Sequence, residues 1–258
     1  VGLKMSDFKK YVIHVSSNKL SYKSALKTID SAKNIGKIDV ELWDGYHKNE
    51  GKKLLEKYNF KLLDYDEFWT KWQLIDPALS CFFSHYSLWE HCIELNKRIM
   101  ILEHDTIFKK KYIDYEFEGV VNIGEPLWDQ NPKKIDFNEN WREIIKKRKM
   151  KKKGFSIREC ECTDKVFEYQ GCHCQEYFLH GAHSYVITPN VAKKLIEKSK
   201  VKGILPADIH INRENIEIAD YLPYCAYQNQ TFSLIQNERY LSYKSGGLPR
   251  GKEAWDEL

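Results

Sequence analysis

The run Arg98-Ile99-Met100-Ile101-Leu102 passes without a spacer into Glu103-His104-Asp105. No other feature limits the fold of this chain so tightly. A short, uninterrupted apolar run that stops abruptly reads as a strand buried on both faces, and such strands belong to sheets covered by helices. The surrounding pattern agrees. Lys10 to Ser16 (KYVIHVS) reads as a strand, and residues 21–33 repeat Ala25, Leu26, Ile29 and Ala32 at helical spacing. Ile38 to Leu42 alternates as a second strand and stops at the turn signal Asp44-Gly45. Strand, helix, strand is a βαβ opening and predicts an α/β fold. Residues 49–58, 65–72, 77–95 and 190–200 read as further helices, 119–124 and 185–188 as strands, and 206–208 as a turn.

Composition narrows the class. The chain has 258 residues, 42 % of them hydrophobic, enough to bury a sizeable core. With 41 Lys+Arg against 37 Asp+Glu the formal net charge is +4, and 30 % charged residues complete the balance of an ordinary soluble globular protein. No apolar run approaches the roughly 18–20 residues needed to span a bilayer. Asp7 and Lys9-Lys10 precede only a short apolar stretch, which does not form the apolar heart of a signal peptide. Seven cysteines without an export signal argue against a disulfide framework, so the expected compartment is the reducing cytoplasm.

Two carboxylates spaced two residues apart at a strand end have a specific chemical use. Ligands of open α/β sheets bind at the carboxyl edge of the strands. Residues i and i+2 of an extended segment point the same way, so Glu103 and Asp105 are expected to face one site. Oxygen ligands in that arrangement suit a hard divalent cation that also holds phosphates, and the competing reading is a solvated strand end.

The same residues carry a family resemblance. Leu79-Ser80-Cys81-Phe82-Phe83-Ser84-His85, then Trp89, then Ile101-Leu102-Glu103-His104-Asp105-Thr106-Ile107-Phe108 resemble the Gly/Ala-Cys-x-x-Ser-His helix and the LEDD strand end of glycosyltransferase family 25. Trp43-Asp44-Gly45, Asn122-Ile123-Gly124, the segment from Gly181 to Pro189 with Ala192 to Leu195, and Pro206-Ala207-Asp208 resemble further motifs of the family, in the same order. The likeness spans roughly residues 10–240.

The resemblance implies a GT-A-like single domain over residues 5–243, with a mixed, mostly parallel central sheet flanked by helices. It implies a nucleotide-sugar donor, usually UDP-linked, and Mn²⁺ or Mg²⁺ at Glu103, His104 and Asp105. It further implies hexosyl or pentosyl transfer to an acceptor hydroxyl, usually with inversion. Such a mechanism needs one carboxylate to take the acceptor proton. Asp208 is the candidate base, against the alternative of a helix N-cap. Ser84, His85 and Lys19 are candidate donor-binding residues, His85 also being readable as a satisfied core histidine. The family's central acid is replaced by His104, which Mn²⁺ tolerates better than Mg²⁺ does. The N-terminal Arg pattern is replaced by His14 to Lys19, with Lys19 or Lys23 as substitutes.

Residues 128–180 form a basic, cysteine-rich insertion, and residues 244–258 an irregular tail. Period-two alternation puts Cys160 with Cys162 and Cys172 with Cys174 each on one strand face. A cysteine-rich hairpin brings the four together either as a structural zinc site, with His173, His180 and His183 as alternative ligands, or as reduced thiols or a disulfide formed in vitro. Lys146 to Lys153 hold seven cations in eight residues, Lys147, Arg148, Lys151 and Lys152 among them. Such a run is either solvated or binds an anionic acceptor. Hydroxymethylated pyrimidine in phage-type DNA is favoured, with Trp128, Phe137, Trp141 and Phe155 near the run to aid base extrusion. A lipooligosaccharide core follows closely. The first places the protein in a phage-infected host cytoplasm, the second at the inner membrane as a peripheral protein. A different class of reading is a catalytically silent nucleic-acid- or glycan-binding relative with structural zinc.

Overall fold

The computed structural model describes residues 8–63, 75–125, 154–157, 178–179, 182–214 and 216–229, with 154–157 given as a backbone path. The expected helix over 65–72, the four cysteines of the hairpin, the basic run with Trp128, Phe137 and Trp141, and the tail lie outside the described residues, while Phe155 falls on the backbone path of 154–157. The ordered elements are β1 (Lys9–His14), α1 (Lys19–Ser31), β2 (Glu41–Asp44), α2 (Gly51–Tyr58), α3 (Ile75–Leu95), β3 (Ile99–Glu103), β4 (Thr106–Phe108), β5 (Val120–Asn122), β6 (Gly124–Glu125), β7 (Gly154–Ile157), β8 (Ser184–Ile187), α4 (Pro189–Val201), α5 (Ala207–His210), β9 (Ile218–Leu222) and β10 (Ala226–Gln228).

Seven strands form one sheet in the order β2-β1-β3-β8-β5-β9-β7, and β4-β10-β6 form a second. In the larger sheet β2/β1, β1/β3 and β5/β9 are parallel, while β3/β8, β8/β5 and β9/β7 are antiparallel. The sheet is therefore mixed in equal measure, not mostly parallel as expected. Strand β8 enters the middle antiparallel because the segment from Ala182 returns beside β3 from the opposite end of the sheet.

The central strands are sandwiched, and their period-two alternation shows it. Tyr11, Ile13, Ile99, Ile101, Tyr185 and Ile187 point into a core shared with α3 and α4. Val12, Met100, Leu102 and Val186 point into the opposite core with Ala25 of α1, Phe108 and Tyr112. Burial on both faces removes the polar alternation of a one-sided strand, which is why RIMIL carries no polar residue after Arg98. Fully burying each such side chain contributes about 1.5–3 kcal/mol relative to exposure.

Local signals set the entry to this layer. The Asn18 side chain accepts from the backbone N–H groups of Leu20 and Ser21, satisfying the exposed donors at the start of α1. The helix winds into a π-turn over Ala32–Gly36 and is closed by Lys37 in the left-handed conformation, φ 57°. Strand β2 begins later than the sequence suggests, at Glu41; the earlier Ile38 and Val40 are buried in the second core before pairing starts. The registers Ile13↔Trp43, His14↔Asp44 and Ile13↔Glu103 then bring the carboxyl ends of β2, β1 and β3 to one edge.

Candidate active site

A cavity of about 100 Å³ opens at that shared edge. Ile13, His14 and Val15 line it from β1, Tyr46 and Lys48 from the segment after β2, Pro77, Ser80, Cys81, Ser84 and His85 from α3, and Glu103, His104 and Asp105 from the tip of β3. Five of the residues singled out from sequence (Ser84, His85, Glu103, His104 and Asp105) thus meet in one place. Lys19 does not join them: it is the exposed first residue of α1, and Lys48 is the lysine that lines the cavity.

The acidic tip reaches the cavity by a different geometry from the one expected. Strand β3 ends at Glu103, and His104 and Asp105 form a turn before β4 begins. Glu103 and Asp105 therefore converge through a turn rather than by sharing one strand face. The turn is fixed from three sides: Thr28 Oγ1 donates to the His104 carbonyl at 2.7 Å, the Asn229 N–H to the Asp105 carbonyl at 2.7 Å, and the Glu103 N–H to the His183 carbonyl at 2.7 Å.

The electrostatics are those of two crowded acids. Asp105 is 2 % exposed; Gln228 Nε2 donates to its Oδ2 at 2.9 Å, and Oδ1 is buried with no hydrogen-bond partner among the described residues. Burial, reinforced by the Glu103 charge, pushes the Asp105 carboxyl well above the ordinary carboxylate range. Burial also acts to raise Glu103, but the hydrogen bond from His85 and the neighbouring His85, His183 and His104 outweigh it and hold Glu103 below its ordinary value. Burial lowers His104 to about 4, which leaves the imidazole neutral near pH 7.

Helix α3 supplies the wall and its fastening. Ser80, Ser84 and Ser87 recur at i, i+4 and i+7 on one helical face. Ser80 Oγ donates to the His47 carbonyl at 2.8 Å, Ser84 Oγ accepts from the Tyr46 N–H at 2.9 Å, and Ser87 Oγ accepts from Trp43 Nε1 at 3.0 Å. Ser84 also donates to the Ser80 carbonyl at 2.7 Å, so its hydroxyl is spent on holding the loop after β2 against α3. This serine stripe is visible in the sequence as a helical repeat, and the sequence reading missed it. Asp44 fastens the other side by accepting from Ser16 N and Oγ at 2.9 and 2.8 Å.

His85 is fully buried, and both its ring nitrogens are engaged: Nε2 lies 3.3 Å from Glu103 Oε1 and Nδ1 lies 2.9 Å from the Tyr185 hydroxyl. Cys81 Sγ approaches the same Glu103 oxygen at 3.9 Å. Cys81, His85 and Glu103 hold potential ligand atoms within 4.8 Å of one another. Burial, followed by the charges of Glu103, Asp208 and Asp105, raises the Cys81 thiol well above its ordinary value. Asp208, the candidate base, is not among the described residues that line the cavity. Asp208 is the second residue of α5, and Pro206 occupies the N-cap position, so the capping alternative for Asp208 is not realised.

A divalent cation fits the carboxylates better than it fits the Cys81-His85-Glu103 trio. The partnerless Asp105 Oδ1 beside a second acid is the coordination deficit that a cation fills. In the trio the imidazole already has both nitrogens bonded, and the thiol is held protonated.

The cavity lies at the carboxyl edge of the strands of a mixed α/β sheet, where open α/β sheets bind their ligands, and paired acids and histidines line it. The sequence profile of glycosyltransferase family 25 (LPS biosynthesis protein) matches residues 8–211. The chain belongs to that family and is a glycosyltransferase. No curated protein matches it. Among solved structures, CTP:phosphocholine cytidylyltransferase from Streptococcus pneumoniae is similar over 91 % of this chain and 96 % of its own, at 15 % identity and a TM-score of 0.37. Among the described residues no helix is long and apolar enough to cross a membrane.

Proposed function

We propose that this chain transfers a sugar from a nucleotide-sugar donor, of the UDP-linked type, to a hydroxyl of a glycan acceptor in lipopolysaccharide biosynthesis, with inversion at the anomeric carbon. The observation that carries the reading is the juxtaposition of Glu103 with a buried Asp105 that has one oxygen without a partner. On this reading residues 5–243 form one GT-A-like catalytic domain, with 128–180 inserted in it. Glu103, His104 and Asp105 would hold the divalent cation, Mn²⁺ tolerating the imidazole of His104 better than Mg²⁺. When bound, the cation stabilises the negative charge of the departing nucleoside diphosphate.

The chain's own residues do the rest. The Ser84–Tyr46 and Ser80–His47 bonds keep the donor-side wall closed against α3, so the cavity keeps its shape without donor. Asp208 approaches from α5 and takes the acceptor proton as the new glycosidic bond forms on the face opposite the leaving group. Lys48, on the cavity wall, is placed to meet phosphate charge.

The acceptor is assigned to glycan because the family is one of lipopolysaccharide biosynthesis. Hydroxymethylated DNA, favoured from the sequence alone, becomes an outcome of the test. Purified protein is incubated with Mn²⁺, a panel of nucleotide sugars, and either lipooligosaccharide core or hydroxymethylated duplex. Nucleoside diphosphate release with sugar on the core supports the proposal. Sugar on the duplex replaces the acceptor, and no release with any donor identifies a silent binding relative.

A further inference from the structure

Three hydrogen bonds connect four buried or half-buried side chains beside the cavity. Trp89 Nε1 lies 3.0 Å from the Tyr185 hydroxyl, that hydroxyl 2.9 Å from His85 Nδ1, and His85 Nε2 3.3 Å from Glu103 Oε1. The donors and acceptors at the two ends are fixed by chemistry. An indole N–H can only donate, and an ionised carboxylate can only accept. Trp89 therefore donates to Tyr185, and His85 donates from Nε2 to Glu103. Between them, only one assignment uses every proton: the Tyr185 O–H donates to a bare His85 Nδ1. A proton on Nδ1 instead would leave the Tyr185 hydroxyl hydrogen facing two donors in a site with no solvent exposure.

We infer that Tyr185 and Trp89 are positioning residues that lock His85 with its proton on Nε2, so that His85 grips Glu103 Oε1 and leaves Oε2 for the ligand in the cavity. Both close contacts of the carboxylate, from His85 and Cys81, fall on Oε1; among the described residues none engages Oε2. Ring packing holds the chain of bonds rigid. Tyr185 stacks on His85 with centroids 5.8 Å apart at 20°, and Trp89 stacks on His210 at 5.9 Å and 17°. His210 lies on α5, the helix that carries Asp208, so Trp89 is braced by the same helix that presents the proposed base.

The inference deepens the proposed role of Glu103 and rests on it, so its test has two arms. Long-range proton–nitrogen NMR of the histidine rings, with the His85 signals assigned by their loss in His85→Gln, reads the tautomer without turnover. Wild type is expected to show the Nε2–H form near neutral pH, and Tyr185→Phe a mixture of both forms. Donor kinetics form the second arm. Tyr185→Phe is expected to lower kcat by about 10–100-fold with KM changed less than about threefold. His85→Gln, whose amide can still donate to Glu103, is expected to retain at least about tenfold more activity than His85→Leu. An Nδ1–H tautomer in wild type, a Tyr185→Phe kcat within about twofold, or equal activity of the two His85 variants would overturn the inference. If wild type turns over no donor, the functional proposal fails while the tautomer arm still decides whether Tyr185 fixes His85.

Discussion

Gln228 donates from Nε2 to Asp105 Oδ2 at 2.9 Å, joining the last described strand to the acidic tip of the central sheet across 123 positions of sequence. Strand β10 is held against β4 by the register Gln228↔Thr106, so the amide is delivered by backbone pairing next to the turn it stabilises. A buried carboxyl with one oxygen already partnerless depends heavily on that single bond.

Gln228→Leu removes the bond and strands both Asp105 oxygens. The expected cost is about 1–3 kcal/mol of stability, read as a lower urea midpoint with unchanged slope. An unchanged midpoint would mean that Asp105 finds water or another partner.

Gly45 is required by a close approach rather than by its backbone angles. A Cβ there would lie 2.8 Å from Ile13 Cγ2 and 2.9 Å from Ser84 Oγ, where the loop after β2 meets α3. Gly45→Ala is expected to cost about 1–3 kcal/mol and to loosen the Tyr46–Ser84 bond. Donor KM should rise with kcat less affected, whereas wild-type kinetics and stability would show that the loop shifts freely.

The Cys81 thiol is raised by burial and by the acids around it, so thiolate is scarce near pH 8. Iodoacetamide mapping by mass spectrometry is expected to leave Cys81 unmodified in folded protein and to label it after denaturation. Rapid labelling of the folded protein would contradict the assignment of a protonated, hydrogen-bonded thiol.

His210 carries a pH dependence of defined sign. Burial, then the charge of Lys198, lowers it to about 3, against about 6.5 in an unfolded chain. Above pH 6.5 neither state binds the proton and stability is flat. Below it the unfolded chain takes up a proton that the folded one refuses, so stability falls with pH until about 3. The slope is about 1.4 kcal/mol per pH unit for this one group. His210→Gln, whose amide can still meet Ser199, should remove that share of the slope between pH 6 and 4. Parallel curves for the two proteins would contradict the assignment.

The sequence carried the site better than its framing. RIMIL and the acids after it were legible because a doubly buried strand leaves an unbroken apolar run and its end is abrupt. Ser84 and His85 were legible as a motif on an apolar helix, but not their duties, since a hydroxyl that fastens a loop looks the same in sequence as one that binds a ligand. Strands β4 and β10 are three residues each, too short for any period to show, and they were missed. Gln228 went with them, because its partner is fixed only by that pairing. Tyr185 and Trp89 read as core aromatics, which they are; their hydrogen-bonding tips acquire meaning only once β8 is placed beside β3. The direction of β8 was equally hidden, since antiparallel insertion leaves no mark on a four-residue apolar strand.

The most direct measurement is nucleoside diphosphate release from a nucleotide sugar with Mn²⁺, comparing wild type with Glu103→Gln and Asp105→Asn. Both changes keep the shape of the side chain and remove its charge. Release by wild type that drops at least about 100-fold in each variant, with folding retained, is the expected result. Release that persists undiminished in both would contradict the claim that this acidic turn is where the sugar is transferred.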